Sequence, residues 1–123
     1  MPNLTILFTA IILVCLDAIY LHIMSPYMIK QIKSVQKSSV KLSLLPAAIC
    51  YIFLVFGIYY FIIQPKRSAI DAFLLGIVIY AVYEFTNLAL FKKWTVLTAI
   101  IDTLWGGILF ATTTLLINFL RTI

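Results

Sequence analysis

Acid is scarce in this chain. Four of its 123 residues are Asp or Glu, against nine Lys and Arg, and charged residues together make up only 11%. Soluble domains and disordered segments both carry far more charge than that. With 64% of the residues hydrophobic, a chain of this length has too little interior to hide its apolar surface from water. Glycine and proline number four each, so no flexible linker divides the chain, no internal repeat is visible, and residues 1–123 read as one transmembrane domain. Cysteine is nearly absent. Cys15 and Cys50 lie in apolar runs with no metal-ligand or redox spacing, and they read as small buried hydrophobes. The single histidine, His22, reads as an interfacial side chain rather than a metal ligand. Phosphate-binding glycine loops, dinucleotide fingerprints and serine-nucleophile motifs are also missing.

What is present is long apolar sequence. Crossing a bilayer as a helix takes about 20 residues, and four segments qualify: 4–24, 42–63, 70–91 and 95–119. Without water every backbone N–H and C=O must be satisfied internally, so these segments are expected to be helices. The fold class is therefore all-α, an integral membrane four-helix bundle. No basic residue precedes Lys30 and Asp17 interrupts the first run, so that run reads as a retained span rather than a cleaved signal.

Between the first two spans, Lys30, Lys33, Lys37 and Lys41 recur at helical spacing, with Met28, Ile29, Ile32 and Val35 on another side. The pattern predicts a short amphipathic helix on the membrane surface, with anionic lipid headgroups as the partner of its lysines. The net charge of +5 is spread between apolar runs, which points to lipid rather than nucleic acid. The connections 64–68 and 92–93 are tight, so the last two helices are antiparallel neighbours. Tyr27, Tyr59, Tyr60 and Trp94 fall near span ends, where aromatic belts lie. Pro46, Tyr51 and Gly57 read as packing residues of the second helix, with a kink at Pro46. Counting Lys and Arg on each side predicts both termini outside the cytoplasm.

Three of the four acids, Asp17, Glu84 and Asp102, sit inside spans, where an ionisable side chain costs at least about 2.5 kcal/mol. Each lies about seven residues from the lysine-rich end of its span, or roughly 10 Å below that surface. On the third helix Tyr80, Tyr83, Glu84 and Asn87 form one stripe, and Thr98, Asp102 and Trp105 form another on the fourth. Asp17 and Tyr20 supply the first helix's share. These nine residues are the candidate binding site, with the three acids carrying an exchangeable charge that titrates as a coupled set. The expected function is binding or transport of a proton, a cation or a cationic small molecule, and a thin-walled bundle would transport as a homo-oligomer. Two alternatives stay open. The acids could simply hydrogen-bond the bundle of a structural or assembly protein, or an acid pair could serve an intramembrane lipid-modifying enzyme. No cofactor is indicated. All-oxygen ligands suit hard divalent cations, but the spacing of a metal site is missing.

Three stretches carry a family resemblance: Leu16-Asp17 with Tyr20, Tyr80-Ala81-Val82-Tyr83-Glu84-Phe85-Thr86-Asn87-Leu88-Ala89, and Trp94 followed by Asp102-Thr103-Leu104-Trp105-Gly106. They resemble a widespread family of small membrane proteins known as a domain of unknown function, with LD, YxxY[DE]xTNxA and DxxWG motifs. Glu84 stands where that pattern usually has Asp, and Tyr20 where Trp is common. The resemblance implies a four-helix membrane protein and the same candidate residues, and it names no activity.

Overall fold

A computed structural model describes residues 2–36 and 44–122. Among them are four α-helices, α1 (Pro2–Gln36), α2 (Leu44–Ile58), α3 (Ala69–Leu90) and α4 (Val96–Thr122), with a π-helical turn (Tyr59–Ile63) ending α2. Stretches of all four, with the π turn extending α2, are long and apolar enough to cross a membrane: Leu4–Lys30, Leu44–Ile63, Ala69–Leu90 and Val96–Thr122. Large apolar side chains such as Ile23, Leu45, Phe53 and Val82 stand on the outside. In a bilayer that surface meets lipid tails, and association of the helices rests on close packing and on hydrogen bonds between them.

The expected separate surface helix is not a separate element. α1 runs on through Pro26 to Gln36. Proline lacks the N–H that would bond the carbonyl four residues back, which here is that of His22. The Ser25 hydroxyl donates to the same carbonyl at 3.1 Å, and the helix continues. Lys30 and Lys33 are exposed on this extension, whereas Lys37 and Lys41 lie outside the described residues. Pro46 falls in the first turn of α2, where backbone N–H groups have no helical partner anyway. Cys15 and Cys50 are exposed on the outer surface rather than buried.

α4 is the central helix. Of its membrane window 44% is buried, against 11–22% for the other three. It packs along α3 and against α1, while α2 packs on α1 and the π turn reaches α4. The α3–α4 contact is nearly backbone to backbone. A Cβ on Gly76 would stand 2.2 Å from the Gly106 carbonyl oxygen, so only glycine permits this approach. Leu13, Ile58, Ile63, Leu109, Phe110 and Ile117 fill the apolar core in the half away from the lysines.

The turns are capped by ordinary means. Ser68 caps α3 by accepting from the Asp71 N–H at 3.1 Å, and Thr95 caps α4 by accepting from the Thr98 N–H at 3.2 Å. After the π turn, the Lys66 N–H donates to the Ile63 carbonyl and the Arg67 N–H to the Ile62 carbonyl, at 3.1 and 2.8 Å. This paired pattern is a Schellman motif, which needs its C′ residue, here Lys66, in the left-handed region, and Lys66 has φ 60°.

Candidate functional site: an acid and aromatic network across four helices

α1 and α4 run antiparallel, and their polar side chains meet rung by rung. Asp17 meets Trp105, Tyr20 meets Asp102, and Tyr27 meets Thr95. Asp17 accepts from two aromatic donors: Trp105 Nε1 to Oδ1 at 2.9 Å, and the Tyr51 hydroxyl of α2 to Oδ2 at 2.5 Å. Both carboxylate oxygens are thus held in a side chain that is 7% exposed. The Tyr20 hydroxyl donates to Asp102 Oδ1 at 3.2 Å. The Tyr20 and Trp105 rings stack with centroids 4.5 Å apart and planes 2° from parallel, which ties the two rungs together.

Glu84 is fully buried. Trp94 Nε1 donates to its Oε1 at 2.8 Å across the α3–α4 turn. Its other oxygen, Oε2, has no hydrogen-bond partner, and the carboxyl faces that of Asp102. Two carboxylates have no donor between them, and a buried acceptor left empty costs about 1–3 kcal/mol. One proton on either acid supplies the missing donor.

The acids are staggered rather than level. The partner of Asp17 on α4 lies three residues deeper than Asp102, or about 4.5 Å along the helix. Among the described residues no three of His, Cys, Asp and Glu close up as a metal site does. Tyr20 nevertheless lies within electrostatic reach of all three acids. Tyr80 is close to Asp17 and Asp102, its ring lying against Gly106. Thr98, one turn from Asp102, belongs to a hydroxyl cluster that opens toward the lysine-rich end. Tyr27 Oη is 2.7 Å from Thr98 Oγ1, which is 2.8 Å from Thr95 Oγ1. Tyr83 is 57% exposed and Asn87 half-buried, and Tyr83 lies within electrostatic reach of Glu84 and Asp102.

Four participants are not among the expected site residues: Tyr51, which reads from sequence as packing, Tyr27 and Trp94, which read as aromatic belts, and Thr95. Tyr51 lies seven residues into α2, the same depth as the acids, and that was the available signal. Trp94 is 6% exposed and turned inward, since the short turn after Leu90 carries its indole back toward Glu84.

Four apolar helices that hold intramembrane carboxylates on aromatic donors define a multi-pass membrane protein built around a polar network. The chain belongs to the family described as predicted membrane protein (DUF2177), whose profile matches residues 3–119. No curated protein matches the chain. No solved structure matches it either.

Proposed function

We propose that this protein binds a proton on the Glu84–Asp102 pair within the membrane and exchanges it for a cation or a cationic solute, as a proton-coupled carrier would. The observation that carries this reading is the fully buried Glu84, whose Oε1 is held by Trp94 and whose Oε2 has no donor, with the Asp102 carboxyl close by. A shared proton makes that pair one neutral hydrogen-bonded unit. Loss of the proton leaves two close carboxylates, whose repulsion a cation relieves. The roles of the three acids then divide: Asp17, with both oxygens held, anchors the network, while Glu84 and Asp102 carry the exchangeable charge. The hydroxyls of Tyr27, Thr95 and Thr98 line a route from the lysine-rich end to Asp102. Positive-inside bias places that end, with exposed Lys30 and Lys33 against anionic headgroups, on the cytoplasmic side and both termini on the other.

Infrared spectra of the protein in liposomes, titrated from alkaline to acid pH, test this reading. The carbonyl band of a protonated carboxylic acid should appear in the unaltered chain and be lost in both Glu84→Gln and Asp102→Asn, but not in Asp17→Asn. Absence of the band in the unaltered chain, or its survival in both variants, sinks the proposal. One observation favours a purely structural reading: Asp17 and Asp102 are met by aromatic donors as interhelical fastenings would be. Under that reading the variants lose thermal stability and no protonated band is seen.

A further inference from the structure

At the end of the bundle away from Lys30 and Lys33, the start of α1, the turn after α2 and the end of α4 border an open cavity of about 510 Å³. Its walls are apolar, from Leu4, Phe8, Ile117 and Leu120, and two cations, Lys66 and Arg121, stand among them. The volume falls in the range of small-molecule sites, roughly 300–1,000 Å³. We infer that this cavity is a binding site for one anionic phospholipid, its phosphate on Lys66 and Arg121 and an acyl chain along the α1–α4 wall. This inference is independent of the proton-binding proposal, which concerns the opposite half of the bundle.

Three observations support it. First, the charge is available and one-signed. Among the described residues the lining includes no acid, and Asp71 on the neighbouring turn is engaged by Arg67 at 3.6 Å. Second, Arg121 is held in place. Its Nη1 donates to the Ile63 carbonyl at 3.1 Å and its Nη2 to Asn118 Oδ1 at 2.9 Å. A guanidinium has five N–H donors, so a fixed fork is left with others to offer a phosphate. Third, Lys66 occupies a left-handed backbone position, φ 60°, where glycine is the inexpensive choice. A lysine there bears a conformational cost and places an ammonium at the cavity. The bilayer supplies the ligand that matches an apolar groove with a cationic end, an amphiphile with an anionic head.

The left-handed position provides a clean test, since Lys66→Gly removes the charge and relieves the backbone. Native mass spectrometry of the detergent-purified protein, with added phosphatidylglycerol or phosphatidylcholine, measures retention. The unaltered chain should retain one phosphatidylglycerol in preference to phosphatidylcholine. Lys66→Gly should bind phosphatidylglycerol about fivefold more weakly with an unfolding temperature equal or higher, and Lys66→Arg should bind as the unaltered chain does. Equal retention of the two lipids by the unaltered chain overturns the inference, and so does undiminished phosphatidylglycerol binding by Lys66→Gly.

Discussion

The two halves of α4 satisfy their polar side chains in opposite ways. In the first half, Thr95, Thr98, Asp102 and Trp105 bond outward, to Tyr27, Tyr20 and Asp17 of α1, while the buried Thr103 hydroxyl has no partner. Beyond Leu109 the buried hydroxyls turn inward, and Arg121 at the helix end bonds across to the Ile63 carbonyl. Thr113 Oγ1 donates to the Leu109 carbonyl and Thr114 Oγ1 to the Phe110 carbonyl, at 2.8 and 2.9 Å, both on their own helix. A hydroxyl bonded to its own backbone is satisfied against any neighbour and carries no information about which helix packs there. A carboxylate that needs two donors from two other helices accepts one arrangement only. The lysine-side half therefore selects the partners and register of α4, and the far half supplies packing around Phe110 and Ile117.

Substitutions on the two sides should break that symmetry of burial into very different effects. The largest is expected from Asp17→Ala, which strands the Tyr51 hydroxyl and the Trp105 indole in a buried site. At about 1–3 kcal/mol per stranded donor, unfolding in detergent should show a loss of roughly 2–6 kcal/mol. A wild-type melting curve would mean that the aromatic network does not hold the bundle. Tyr20→Phe comes next. It deletes one bond to Asp102 while keeping the ring stacked on Trp105, so the expected loss is about 1 kcal/mol by the same measurement. Thr113→Val, although equally buried, should change stability by less than about 0.5 kcal/mol, because its hydroxyl serves only its own helix. A loss there as large as that of Tyr20→Phe would erase the distinction between the two halves.

Much of the architecture was legible in the residues. Run length identified the spans, the brevity of Lys92-Lys93 implied the α3–α4 hairpin, and the cost of burying charge singled out the three acids. What stayed hidden were features set by partners rather than by composition. Proline normally interrupts a helix, yet α1 passes Pro26, with the Ser25 hydroxyl donating to the His22 carbonyl that Pro26 cannot serve. The π turn at Tyr59–Ile63 is a shift of hydrogen-bond register, with the Gln64 N–H bonded to the Tyr59 carbonyl, and no residue type announces it. Tyr51 and Trp94 are ordinary aromatics near a membrane until the chain places a carboxylate within reach. Cys15 and Cys50 were misplaced because an apolar run does not say which of its faces meets lipid.

The unbroken course of α1 gives it reach. At 1.5 Å per residue, 35 residues span about 52 Å, well beyond the roughly 30 Å of a hydrocarbon core. The helix is thus one continuous element, longer than the core is thick, with Lys30 and Lys33 in its last turns and Asp17 and Tyr20 near its middle. Pro26, which lacks the backbone donor of its turn, lies between the lysine-bearing end and the Asp17 and Tyr20 rungs that α1 shares with α4.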